Sequence, residues 1–210
     1  GLDDVSAATF YDWQRDAQSF GGMAIYPCCG LRELALTGTG TARAVTVTAV
    51  STGFFEIIRA RPALGRVFRQ EEHTPGSKYV VVLSDRFWKA KFAGAPDVVG
   101  KTFKMNGIVY TVVGVAPPDF LGMTPAVTAQ MWIPLTMVEK VEPFGNQRLS
   151  GRSTGNNRFE RRGQHWMRFR GRMKPGVTVA QVRSEFEGLV RRLGRRAHRR
   201  RRGTSIRSLS

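Results

Sequence analysis

The chain has 210 residues, with 33 Lys and Arg against 16 Asp and Glu, a formal net charge of +17, and 41% apolar and 10% aromatic residues. That length holds one large domain or two small ones and can bury a core; the aromatic content excludes a wholly disordered chain. No apolar run reaches the roughly 18 residues of a membrane span, and the two cysteines, Cys28 and Cys29, are adjacent, which excludes a disulfide framework and leaves a zinc site without its second ligand pair. The chain starts at Gly1 with no signal-peptide pattern and reads as a fragment or a processed product.

The charge is concentrated. Residues 1–147 carry 14 basic and 13 acidic side chains, residues 148–174 nine basic and one acidic (Glu160), and residues 191–210 nine arginines and no acid. The final segment, GRRAHRRRRGTSIRSLS from Gly194, repels itself and is expected to be disordered. It could bind phosphate backbones or anionic lipid, although no aromatic is interleaved to stack on bases.

In chain order, residues 6–20 read as a helix, with Phe10, Trp13, Ala17 and Phe20 on one stripe, Ser6 as cap and Gly21-Gly22 as stop. Residues 23–26 form a short apolar strand ended by Pro27. A hairpin follows, with Leu34-Ala35-Leu36 and the alternating residues 44–50 around the Gly38-Thr39-Gly40 turn. Ser51 or Thr52 caps a short helix through Ile58, and residues 71–77 are a polar loop. The run 79–83 is a buried strand. Ser84 then caps a helix carrying Phe87, Trp88 and Phe92.

Asn106-Gly107 between two β-rich runs is a strong hairpin signal, because both residues accept positive φ. Residues 131–135 form a short strand that Pro134 confines to an edge or an end. Residues 141–163 are a long basic, flexible loop without periodicity. The next strand alternates Trp166, Arg168, Arg170 and Arg172 with Met167, Phe169, Gly171 and Met173, half-buried with a basic outer face. Thr178 and Gln181 form a capping box for a helix with Val179, Val182, Phe186, Leu189, Val190 and Leu193 on one face. The pattern is α+β without an internal repeat.

No constellation carries chemistry. His73, His165 and His198 lack metal-ligand spacing, so no metal site is expected. Ser84 sits between strand and helix, where a nucleophile could sit, but a cap accounts for it. Glu71, Glu72 and His73 read as a solvated polar patch rather than an acid–base pair. The Gly-rich segment 37–41 lacks the Lys-Ser/Thr of a phosphate loop. The tryptophans Trp13, Trp88, Trp132 and Trp166 lie on apolar faces and read as core, with Trp88 and Trp166 largely buried. No catalytic, cofactor-binding or metal residues are assigned.

Five segments in order carry a resemblance: FYDWQRDAQSF; VSTGFFEIIRARPALGRVF; VVVLSDRFWKAKFAGAPDVVGKTFKMNGIVYTVVGVAPPDF; MWIPL; and WMRFRGRMKPGVTVAQVRSEFEGL. Together they cover most of residues 6–193, and the chain resembles the MacB-like periplasmic core domain of ABC transporter permeases, of the acidobacterial type. The resemblance implies a porter-like βαβ layer, residues 1–52 and 164–193, with a small mixed α/β subdomain, residues 53–140, inserted in it. It also implies a non-catalytic module on the extracytoplasmic side of the bacterial inner membrane, without a cofactor.

The implied partners are an ATP-binding subunit reached through membrane helices absent from this sequence, a periplasmic adaptor or substrate, and a second permease copy. The chain departs from the family after Leu193, where a further strand is expected and the arginine tail stands instead. A competing reading is a basic nucleic-acid-binding module using the 148–174 face and the tail.

Overall fold

The computed structural model describes residues 4–28, 32–38, 41–74, 76–120, 122–123, 128–138, 158–163 and 165–206. Most of the basic loop expected over 141–163 and the last four residues of the tail therefore lie outside the described residues.

The first body is a small sheet backed by helices. Strand β1 (Asp4–Val5), helix α1 (Ala7–Asp16) and strand β2 (Phe20–Pro27) open the chain; β10 (Met167–Met173) and helix α4 (Val179–Ile206) close it. The sheet order is β1-β10-β2, antiparallel throughout, with Asp4 opposite Arg168 and Phe169 opposite Ile25. Ser6 caps α1 by accepting the Thr9 N–H at 3.1 Å, and the Thr178–Gln181 box opens α4 as its spacing predicts.

Along β10 the alternation separates two faces. Phe169 meets Trp13 and Phe20 edge-on at 5.7 Å, and Phe186 at 5.9 Å, so α1 and α4 close over one side. On α4 only Phe186 and Leu189 are fully buried; Val182 and Leu193 are half-buried, and Val179 and Val190 are 66% and 55% exposed. The expected six-residue apolar face is thus narrower in fact, because a three-stranded sheet is too small to cover it.

The second body is a ring of strands. It comprises β3 (Arg32–Thr37), β4 (Arg43–Val50), β5 (Leu64–Gly65), β6 (Val80–Leu83), β7 (Thr102–Met105), β8 (Ile108–Val115) and β9 (Met131–Pro134), in the order β5-β8-β6-β9-β4-β3-β7. Because β7 also pairs β8, six of the seven strands close into a mixed barrel, with β5 attached outside. Pairs β4–β9 and β6–β8 are parallel, and the rest antiparallel. Leu36, Leu83, Met105, Tyr110, Met131 and Trp132 are almost wholly buried. Pro134 stands at the end of β9, where no further ladder bond is required.

Strands β3 and β4 lie within the residues expected to belong to the porter-like part, yet they are barrel strands. Their partners are β7 and β9, so their place is fixed by pairings 67 or more positions away. Helices α2 (Phe54–Ile57) and α3 (Asp85–Phe92) fill the connections. Ser84 caps α3 by accepting the Phe87 N–H at 3.1 Å.

Closure runs through the β3–β7 and β7–β8 ladders and is reinforced at the hairpin tip. Asn106 and Gly107 have φ of 49° and 81°, the two-residue hairpin that the sequence predicts. Asn106 also donates its N–H to the Ala35 carbonyl at 3.0 Å and accepts the Ala35 N–H on Oδ1 at 2.9 Å, which ties the β7–β8 tip to β3. Gly114 fits where nothing larger can: a Cβ there would stand 2.1 Å from the Arg66 carbonyl oxygen.

Two further expectations change. Trp13 and Trp132 are buried, but Trp88 and Trp166 are only half-buried against the core; the Trp88 indole N–H donates to the Ala95 carbonyl at 2.9 Å. Residues 194–206, expected to be disordered, continue the α4 helix. Arginine is a strong helix former and no proline interrupts the segment, so propensity carries the backbone on despite the charge.

Candidate functional site: the junction of sheet and barrel

The two bodies meet along β2, α2 and the start of the barrel turns. Ser51, at the end of β4, is buried. Its hydroxyl accepts the Ile25 N–H at 2.9 Å, and its own N–H donates to the Ile25 carbonyl at 3.0 Å. One barrel residue thus satisfies both backbone groups of a β2 residue that its own sheet leaves unpaired.

The basic face of β10 borders this junction. Arg172 donates from Nε and from a terminal nitrogen to the Ile57 carbonyl at the end of α2. Arg170 lies over the Tyr26 ring at 5.7 Å, and Tyr26 packs edge-on against Phe54 at 5.9 Å. The basic outer face expected of β10 is thus partly engaged by α2, with Arg168 and Arg170 half-buried and Arg172 still exposed.

Within the sheet body, the Glu185 carboxylate of α4 accepts the N–H groups of Gln18 and Ser19, in the link between α1 and β2, at 2.6 and 3.2 Å. Burial by itself would push Glu185 up, but those hydrogen bonds and nearby Arg192 outweigh it and hold the carboxyl below its usual range.

Next to the junction, the polar run at residues 71–73 is structured. A turn over Gln70–His73 buries Glu72 to 8% exposure. Its carboxylate takes a bidentate pair of bonds from Arg66, at 2.6 and 2.9 Å, and the Arg69 N–H at 2.8 Å. Burial opposes its charge, yet these donors and the Arg66 and Arg69 charges prevail and its pKa is lowered. The expected solvated patch is thus an anchored turn. The signal was present as a basic–acidic pair six apart, Arg66 and Glu72, but that spacing matches no regular element.

His73 follows from that turn. Its ring lies edge-on to Phe68 at 5.8 Å, and burial pulls its pKa down to about 4, against a smaller opposing pull from Glu72. It lines a cleft of about 330 Å³ between α1 and the turns over Gln70–His73 and Leu135–Met137.

The remaining residues singled out in the sequence do not converge. Ser84 is a cap, Cys28 is half-buried at the end of β2 with its N–H on the Trp166 carbonyl at 2.9 Å, and His165 is exposed. Cys29 and the His198 side chain lie outside the described residues. Among the described residues, no three His, Cys, Asp or Glu side chains could hold a metal ion, and no helix is long and apolar enough to cross a membrane.

A helix-backed sheet that receives both the first and the last strand, with a barrel carried between them, makes a mixed α/β module. The profile of the MacB-like periplasmic core domain matches residues 12–189. The chain belongs to that family, whose members are periplasmic domains of ABC transporter permeases.

Solved structures share the fold at low identity. The periplasmic region of MacB from Actinobacillus actinomycetemcomitans matches with a TM-score of 0.60 at 15% identity, over 91% of this chain and 75% of that one. A domain of a putative permease protein from Porphyromonas gingivalis gives 0.61 at 13%, over 90% and 71%. The extracellular domain of the noncanonic ABC-type transporter YknZ from Gram-positive bacteria gives 0.54 at 12%, over 88% and 79%. No curated protein sequence matches significantly.

Proposed function

We propose that this domain is a non-catalytic coupling element: it passes motion of the permease's membrane segments to substrate or a periplasmic adaptor outside the membrane. The observation that carries this reading is the pairing of β1 with β10. The first and the last strand lie side by side in one small sheet backed by the last helix, so displacement of the flanking segments acts first on that layer. From there it reaches the barrel through few, separable ties, chiefly Ser51 on Ile25 and Arg172 on Ile57.

In this reading the three-stranded sheet with α1 and α4 is the porter-like part, and the barrel, β3 and β4 included, is the inserted subdomain. The ATP-binding subunit acts through membrane helices outside this sequence, and a second permease copy completes the assembly. The nucleic-acid alternative is less favoured, because Arg170 and Arg172 already have partners at the junction.

The test uses the full-length permease with its ATP-binding subunit in vesicles. Arg172→Met with Ser51→Ala is expected to cut transport at least about fivefold while leaving ATP hydrolysis and the domain's fold intact. Unchanged transport in a folded double variant would remove the coupling role.

A further inference from the structure

Six polar side chains converge on the cleft beside α1: Tyr11, Gln14, Thr52, Gln70, His73 and Thr136. Ser51 also lines the cleft and is tied to Ile25, whereas none of these six side chains is hydrogen-bonded to another described residue. The Tyr11, Gln14 and Gln70 side chains are exposed and those of Thr52 and His73 half-buried, so the cleft opens on donors and acceptors that a ligand can reach.

We infer that this cleft is a binding site for an uncharged, polyhydroxylated small molecule of mono- to disaccharide size. Charge selects the class. None of the lining residues is Asp, Glu, Lys or Arg, and the neighbouring Glu72 carboxylate is committed to Arg66 and Arg69. An ion entering the cleft would lose water and meet no counter-charge, which is costly. A polyol exchanges its bonds to water for bonds to hydroxyls, amides and an imidazole, which together offer donors and acceptors.

His73 serves as one of each, because burial keeps its ring neutral at ordinary pH. The Tyr11 ring, 43% exposed, supplies the apolar surface that a sugar's C–H face needs. The volume of about 330 Å³ lies at the lower end of the usual range for small-molecule sites. This inference does not rest on the coupling role, since it needs only the cleft.

The experiment is a titration of the isotope-labelled 210-residue chain, followed by backbone amide NMR shifts. Glucose and sucrose are the neutral probes; gluconate and glucosamine are the charged counterparts at matched ionic strength. Saturating shifts are expected for the neutral probes, confined to amides near Tyr11, Gln14, Thr52, His73 and Thr136. The charged probes are expected to bind about tenfold more weakly or worse.

Thr52→Val keeps the side chain's shape and is expected to raise Kd about fivefold. Gln14→Leu, on the exposed side of α1, gives the same readout should the first variant fail to fold. A rise in melting temperature does not count, because sugars stabilise proteins by exclusion. Shifts that stay linear for all four solutes, equal saturation by charged and neutral probes, or an unchanged Kd in folded variants would each overturn the site.

Discussion

The two β regions of this molecule complete themselves differently. The three-stranded sheet cannot bury its own face and relies on α1 and α4, through the ring cluster of Trp13, Phe20, Phe169 and Phe186. The barrel relies on closure: each of its six strands has a partner on both sides. A sheet finished by helices depends on side-chain packing, whereas a ring depends on backbone geometry at a few tight places. The same kind of substitution should therefore hurt the two regions by different routes.

The largest effects come from attacking each region at its own weak point. Gly114→Val puts atoms against the Arg66 backbone and is expected to cost about 3 kcal/mol or more through backbone shift. Phe169→Ala should cost about 3–5 kcal/mol through the cavity it leaves. Trp13 in the sheet layer and Trp132 in the barrel report separately on the two bodies when each is kept as the sole tryptophan. Urea unfolding followed by these probes would give coincident transitions if the bodies unfold together, and split ones if the comparison marks a real boundary.

A middle-sized effect is expected from acid. The His73 pKa is held near 4, below its usual 6.5, so between those values the unfolded chain takes up a proton that the folded chain refuses. Stability should fall as pH drops across that window, by up to about 3 kcal/mol, and His73→Gln should flatten the slope. Glu72, whose pKa is lowered, adds stability that is present above its usual value of 4.5 and lost as pH falls through its folded value. Unfolding free energies at pH 7, 5.5 and 4 would test both.

Smaller is the expected cost of Asn106→Gly, about 1 kcal/mol. Glycine keeps the positive-φ turn but removes the side-chain acceptor for the Ala35 N–H, so hydrogen exchange at Ala35 should quicken while the β7–β8 amides stay protected. Loss of protection throughout β7–β8 would mean that Asn106 serves the hairpin more than the closure. Smallest of all is deletion of residues 194–210, expected to move Tm by less than about 2 °C, because it lies beyond the packed residues Phe186, Leu189 and Leu193.

Features decided within a few residues were legible in the sequence. The caps Ser6 and Ser84, the Thr178–Gln181 box and the Asn106-Gly107 hairpin all act over two to four positions, and each forms where its spacing places it. What escaped depends on distant partners. Alternation in β4 shows a strand, but nothing in it says that Val47 lies beside Met131. Alternation in β10 groups the arginines, but not which body they face.

Glu72 looked solvated because its neighbours are polar, and its burial depends on Arg66 folding back across the turn. In the C-terminal segment charge repulsion argued for disorder, and the helical preference of arginine outweighed it in the backbone through Ile206. The cleft is the extreme case, since Tyr11, Thr52, Gln70 and Thr136 come from four separate parts of the chain.

Ring closure also decides how the barrel answers a pull. An open sheet loaded at its edge strand peels, breaking one rung at a time. A ring offers no outermost strand to peel, so a load must slide neighbouring strands past each other and break many rungs at once. The Asn106 staple at Ala35 is the latch on that seam. Dragged by its small sheet, the barrel would travel as a rigid cargo, and stretching would be confined to the few hinges at Ser51 and Arg172.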